Sequence, residues 1–407
     1  MAAIILVSCA VVVLYHHIGY PMLLRWFAER ARQRSWSGSV PSSLPAPISN
    51  FPTVALLVPA HNEERYIRRK AINCSELGYP SEKLTVTMAL DGCKDSTEDI
   101  LRKVIIELKI DIQTIVFREN QGKVSVLNAV IPQLEAEIIA LSDASAILDA
   151  DALKRAVSHF DDPKVGVVCG TYVMPASSSA AELAYWRYQV GIKADEALAA
   201  APMGAHGAFY LFRRVLWKPL EADTINDDFI LPMRIVAEGW NAVYDRRVVA
   251  TELEAANSRQ GFRRRIRIGA GNLQQTLRLW RLADLRRPAL AFIFISGKAL
   301  RSVMPFILLV AFAASVSLAF TDGLAARLFL AAEVAVSLLC LVGAALPHKV
   351  PRVVDLLSYW AMGYVASGLG ALLLLSGRTS AAWQVSKAGR VQNPHSNEAF
   401  NETKGGK

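Results

Sequence analysis

The chain has 407 residues, a net charge of +9, 53% hydrophobic and 20% charged residues, and a mean hydropathy of +0.27. That hydropathy excludes an ordinary soluble enzyme and calls for a globular part joined to membrane spans. The basic residues gather at 25–34 and 259–287, beside apolar runs, which fits contact with membrane lipid and not a nucleic-acid surface. Cys9, Cys74, Cys93, Cys169 and Cys340 form no CxxC pair, so neither a disulfide framework nor a zinc site is expected.

Residues 2–24 are apolar apart from Ser8, Tyr15, His16, His17 and Tyr20, long enough to span a bilayer. Arg25, Arg30, Arg32 and Arg34 follow this run and no Lys or Arg precedes it. That order predicts an uncleaved anchor over 1–25 with its C-terminal end in the cytoplasm, not a cleaved signal. Residues 26–52, Ser- and Pro-rich from 35 onward, read as a linker. Residues 53–285 alternate short apolar strands (53–59, 84–90, 112–118, 138–142, 165–172) with helical patterns, for example 96–108 with Ser96 in a capping position. This alternation predicts an α/β domain with a mainly parallel sheet covered on both faces. Residues 286–301, with Lys298 and Arg301, read as an interfacial helix. Spans are expected at 302–320, 324–347 and 355–376, within a membrane region from 302 to 376. The last carries Gly363, Ser367, Gly368 and Gly370, suited to helix packing. Residues 377–407 form a polar tail. Three spans after the domain would put it outside, whereas Lys387 and Arg390 favour the inside.

Ligands of such sheets sit beyond the carboxyl ends of the strands. The first strand runs into Pro59-Ala60-His61-Asn62-Glu63, the second into Asp91, and the fourth into Ser142-Asp143-Ala144-Ser145. Helix capping explains any one of these acids. A Mg²⁺ or Mn²⁺ site working on phosphates explains the three together. Lys123, after Gly122, opens a helix and is either solvated or a phosphate contact. His206 between Gly204 and Gly207 marks a tight turn or an acceptor wall. Asp227 and Asp228, after Asn226, are either a helix start favoured by the dipole or a general base. Arg264 and Arg267, within Arg263-Arg264-Arg265-Ile266-Arg267, are a membrane flank or a clamp on a diphosphate leaving group.

In order and spacing, this set resembles the inverting family 2 glycosyltransferases, particularly the membrane-bound cellulose, hyaluronan and poly-N-acetylglucosamine synthases, over residues 15–390. The resemblance implies a GT-A fold, a Rossmann-like nucleotide-sugar domain. It implies that Pro59, Ala60, Asn62, Glu63 and Asp91 hold the uridine of a UDP-sugar, that Gly122 and Lys123 lie near its diphosphate, and that Asp143 ligates the metal. The DxD motif reads Asp143-Ala144-Ser145, without its second Asp. Asn226-Asp227-Asp228 matches the base motif, with Asp228 as base. In the QxxRW motif the Gln and Trp are Arg264 and Ile268, and Arg267 faces the diphosphate. The implied activity is inverting transfer to a polysaccharide or lipid-linked acceptor, giving a β-linkage, with the domain on the cytoplasmic face of a bacterial inner membrane. The alternatives are transfer of one sugar to a polyprenyl phosphate, and a non-catalytic transport or scaffold protein. Few ionisable residues in the spans, chiefly Arg327 and Glu333, weigh against the last.

Overall fold

The structure, a computed structural model, describes residues 1–36, 51–175, 178, 180–254, 258–346 and 349–378, with 34–36 and 258–260 described in backbone only. The latter part of the expected linker, Ser386 and the tail residues Trp383, Lys387 and Arg390 lie outside the described residues.

The strands are β1 (Val54–Ala60), β2 (Leu84–Asp91), β3 (Gln113–Phe117), β4 (Ile138–Leu141), β5 (Ala146–Leu148), β6 (Val165–Val173), β7 (Tyr210–Arg213) and β8 (Asn241–Glu252). They form one sheet in the order β3-β2-β1-β4-β7-β6-β8-β5. Side chains alternate between its faces. Ala55, Leu57, Ile139 and Leu141 enter one core, whereas Val54, Leu56, Val58, Ile138 and Ala140 enter the other.

Strands β1 to β4 are parallel, as the alternation predicts. The sheet is mainly parallel, as expected, since β6 and β8 also pair in parallel, but its second half is mixed. There β7 runs antiparallel to both β4 and β6, and β5 runs antiparallel to β8. β7 and β5 have four and three residues, too few for a legible period of two, and they form because their partners complete their ladders. The expected helix at 96–108 is Thr97–Leu108, but the Ser96 side chain makes no cap bond. Asp95 Oδ1 instead accepts from Thr97 N at 3.1 Å.

Among the described residues, four helical segments are long and apolar enough to cross a membrane: Ala2–Gln33, Pro288–Thr321, Gly323–Ala345 and Arg352–Leu375. Large apolar side chains on their surfaces, such as Val7, Leu309, Phe320 and Leu338, are exposed, the pattern that lipid covers. The first helix runs past the apolar stretch to Trp36, so residues 26–36 of the expected linker are helical. No Gly or Pro interrupts residues 23–36, and Arg25 pairs with Glu29 one turn on. No break separates the expected interfacial helix from the next span. Pro288–Ile293, a π-helical turn Phe294–Ala299 and Leu300–Thr321 are continuous. Lys298 and Arg301 are accommodated there because they turn inward, over the rings of Phe229 and Tyr185. The small-residue seam of Arg352–Leu375 packs on the arginine-rich helix Ser258–Arg278, where a Cβ on Gly370 would sit 2.1 Å from Ile266 O.

Candidate active site

The antiparallel half of the sheet brings distant loops to the carboxyl end of β4. Leu141 pairs with Tyr210, so the 204–208 loop preceding β7 faces Asp143, and Asp143 N donates to Gly207 O at 3.2 Å. Ala146 pairs with Glu252, which brings the end of β8 alongside. Beneath this loop the buried Lys70 donates to Ser142 Oγ and Ala146 O, both at 2.6 Å, and fixes its path.

Three acids surround one lysine. Lys123 Nζ lies 3.0 Å from Asp143 Oδ1 and 3.2 Å from Asp227 Oδ2. Only the first contact has hydrogen-bond geometry. Asp228 turns away from its neighbour, as successive helical residues must, and its Oδ2 accepts from Gly207 N at 3.1 Å. Both acids head the helix Asp227–Ala237, yet the Asn226 side chain does not cap it. Asn226 donates instead to Gln275 Oε1 at 3.2 Å.

The electrostatics differ among these groups. Burial, and next the Asp227 carboxylate, push Asp228 up to about 6. Burial also works to raise Asp143, but the Lys123 ammonium outweighs it and holds Asp143 below its usual range. Burial opposes the charge on Lys123, and Asp143, Asp227 and Asp228 together overcome it. Glu63 is pushed up to about 8, first by burial and then by Glu254, Asp143 and Glu252. His206 is held well below its ordinary value by burial and then by Lys193, Lys298 and Arg264, so it is neutral.

A cavity of about 1150 Å³ joins these groups. It begins at Pro59, Asn62, Glu63 and Asp95, passes Lys123, Asp143, His206, Asp227 and Asp228, and is flanked by Arg264 and Arg267. It ends among the apolar helices at His16, Tyr185, Lys298, Arg301, Trp360 and Tyr364. Of the site residues expected from the sequence, Ala60, Asp91 and Gly122 do not line it. Asp91 is 1% exposed, and its carboxylate accepts from Gln121 N at 2.7 Å and Gly122 N at 2.8 Å. In this arrangement Asp91 fixes the loop that delivers Lys123.

His206 stacks on Tyr172 and tilts against Trp186, with ring centroids 5.2 and 5.1 Å apart. The glycines beside it answer a steric need within the chain. A Cβ on Gly207 would meet Asp143 Oδ2 at 2.8 Å, and Gly204 has φ +81° with Phe229 against it. Tyr172, Trp186, Glu252, Lys193, Lys298 and Arg301 were not expected at the site. Intramembrane charge at Lys298 and Arg301 was the one available signal.

Among the described residues no three His, Cys, Asp or Glu side chains are arranged to hold a metal ion. A Mg²⁺ or Mn²⁺ bound through one carboxylate, water and substrate phosphates needs no such cage. Asp143 offers that carboxylate, and the acids gathered around a single Lys123 supply the negative charge, so the residues fit a divalent ion shared with a phosphate ligand.

The family described as "Glycosyltransferase like family 2" matches residues 52–271, more than half of the 407 residues, and the chain belongs to it. It has a GT-A-like α/β fold with a mixed sheet. It is 36% identical over 120 residues to the beta-monoglucosyldiacylglycerol synthase of Trichormus variabilis, a match covering 29% of this chain and 26% of that protein. It is 29% identical over 130 residues to the probable glycosyltransferase YdaM of Bacillus subtilis, covering 31% and 30%. The match thus spans about a quarter to a third of the length of these relatives. Among solved structures, the mannosyltransferase PcManGT from Pyrobaculum calidifontis, in complex with GDP-Man and Mn²⁺, superposes with a TM-score of 0.70 at 23% identity, covering 92% of this chain and 100% of that one. The two share a fold.

Proposed function

We propose that the protein transfers a sugar from a nucleoside diphosphate donor, a UDP-sugar, to a lipid-linked acceptor at the membrane, with inversion and formation of a β-glycosidic bond. The observation that carries this is the cavity, which runs without interruption from the strand-end acids into the apolar helices. A donor nucleotide fits the sheet end, and an acceptor held in the bilayer reaches the same acids from the other end. The diacylglycerol glycolipid named in the Trichormus relative points the same way. Ile268 stands where the polymerising synthases carry an acceptor-stacking Trp, which favours a lipid acceptor over a growing polysaccharide.

In this mechanism Pro59, Asn62 and Glu63 bound the nucleotide end of the cavity. Asp228 takes the proton from the attacking hydroxyl. Its raised pKa suits a base working near neutral pH. Asp227 and Asp143 hold Lys123 beside the base. Lys123, Arg264 and Arg267 counter the charge that develops on the departing diphosphate. Asp143 would hold the Mg²⁺ or Mn²⁺, which supplies charge neutralisation at the phosphates. The basic runs at 25–34 and 259–287 support a catalytic domain on the cytoplasmic side. The deciding experiment is UDP release from UDP-sugars by the full chain, with and without membrane lipid and divalent metal. Release that depends on both is expected. Release indifferent to lipid would overturn the lipid-acceptor assignment.

A further inference from the structure

The membrane end of the cavity gathers positive charge that the chain itself leaves uncompensated. Lys193, on the helix Ala180–Ala199, Lys298, in the π-helical turn Phe294–Ala299, and Arg301, in Leu300–Thr321, all line it. Among the described residues none of the three makes an ion pair. Lys193 Nζ donates to Gly204 O at 2.8 Å. Lys298 lies 5.7 Å from the centre of the Phe229 ring. Arg301 reaches Gln189 Oε1 at 3.3 Å and the Tyr185 hydroxyl. Glu196, on the same helix as Lys193, is already occupied. It accepts from Tyr20 OH at 3.2 Å and from Met203 N at 3.0 Å.

Cations set into a segment long enough to cross a bilayer, and not matched by carboxylates, are costly unless a ligand answers them. The backbone around them is also specialised. The π turns Tyr15–Gly19 and Phe294–Ala299 meet here through Tyr15 OH and Ser296 Oγ at 2.7 Å, and His16 Nδ1 and Ser296 O at 3.1 Å. Such turns interrupt regular helix and recur at functional sites. A guanidinium fork, two ammonium groups and tyrosine hydroxyls match phosphate oxygens.

Resting on the transferase assignment above, we propose that Lys193, Lys298 and Arg301 form an anion subsite for the phosphate of a lipid acceptor, which separates this chain's acceptor from a neutral diacylglycerol. The phosphate is held at the bilayer end, and the group to be glycosylated faces Asp228.

The test uses the full chain in dodecyl maltoside micelles, which contain no phosphate. It compares retention of two labelled lipid pairs that differ only in the phosphate: polyprenyl phosphate against polyprenol, and phosphatidic acid against diacylglycerol. UDP binding is followed in the same samples. At least one phosphate lipid is expected to bind about tenfold or more tighter than its neutral partner. Lys298→Gln and Arg301→Gln should each abolish most of that preference, Lys298→Arg should keep it, and UDP affinity should stay within about twofold. Equal binding within both pairs, or an undiminished preference in Lys298→Gln, would overturn the subsite. Displacement of the lipid by millimolar inorganic phosphate would reassign the site to a free ion and overturn the lipid as its source. A wild-type chain that retains phosphate lipid but does not bind UDP would instead overturn the transferase assignment on which the subsite rests.

Discussion

The two ends of the cavity carry opposite charge in similar burial. At the sheet end, Asp143, Asp227 and Asp228 gather around Lys123, with Glu63 and Glu252 close by and Arg264 and Arg267 flanking them. At the helix end, Lys193, Lys298 and Arg301 gather beside Glu196, which is bonded elsewhere. The acid end can bind a divalent cation and accept a proton; the basic end can do neither and suits an anion. A chain that only bound nucleotide would need no buried carboxylate surplus facing a second, cationic compartment. On the proposed reading, chemistry falls to the first end and acceptor recognition to the second.

The strongest way to break this comparison is Asp228→Asn. Sugar transfer should fall by about 10²–10⁴, the usual contribution of a general base, while UDP-sugar binding survives; Asp227→Asn should cost less. Single-turnover kinetics beside a binding isotherm would check it, and near wild-type transfer by the purified variant would remove Asp228 from the role. Next in size, Asp143→Ala should lower transfer by about 10², equivalent to ~2.7 kcal/mol, and blunt the response to Mn²⁺ and Mg²⁺. An unchanged metal titration would contradict it.

The pH profile sharpens the contrast. Asp228, raised to about 6 by burial and Asp227, must be ionised to act, so transfer should fall about tenfold per pH unit below that value. Stability should move the other way. A carboxyl raised on folding stabilises the donor-free protein at low pH, and that contribution is lost as pH rises through about 6. Denaturation midpoints at pH 5 and pH 7, compared between wild type and Asp228→Asn, would detect it. His206→Ala should weaken acceptor use by about tenfold and leave UDP affinity nearly unchanged, because the ring stacks with Tyr172 and Trp186 on the acceptor path. Equal loss of both would mark a folding role. The smallest effect is expected from Gly207→Ala, whose methyl would press on the Asp143 carboxylate at 2.8 Å. A stability loss of about 1–3 kcal/mol should appear in denaturant unfolding, and an unaltered midpoint would show that the loop yields freely.

Much of this protein was legible without its structure because the information is local. A strand such as Val54–Ala60 announces itself by composition and by the Asn and Glu that follow. Acids after consecutive parallel strands must emerge on one edge, since parallel pairing leaves no other geometry. The apolar helices are legible from length alone. What the sequence could not state is which distant segments answer one another. The four residues of β7 carry no readable period, yet their antiparallel place beside β4 brings Gly207 to Asp143 and Asp228. Glu252 joins the acids only through the β5–β8 pairing. Lys193 and Lys298 lie more than a hundred positions apart and share a wall only because two helices close on one cavity. Hydrophobic periodicity is a property of neighbours along the chain, and so the sequence alone determined the elements and the acidic edge. The meeting of charges belongs to sheet order and helix packing, and so the tertiary structure alone decided the basic end and the path between the two.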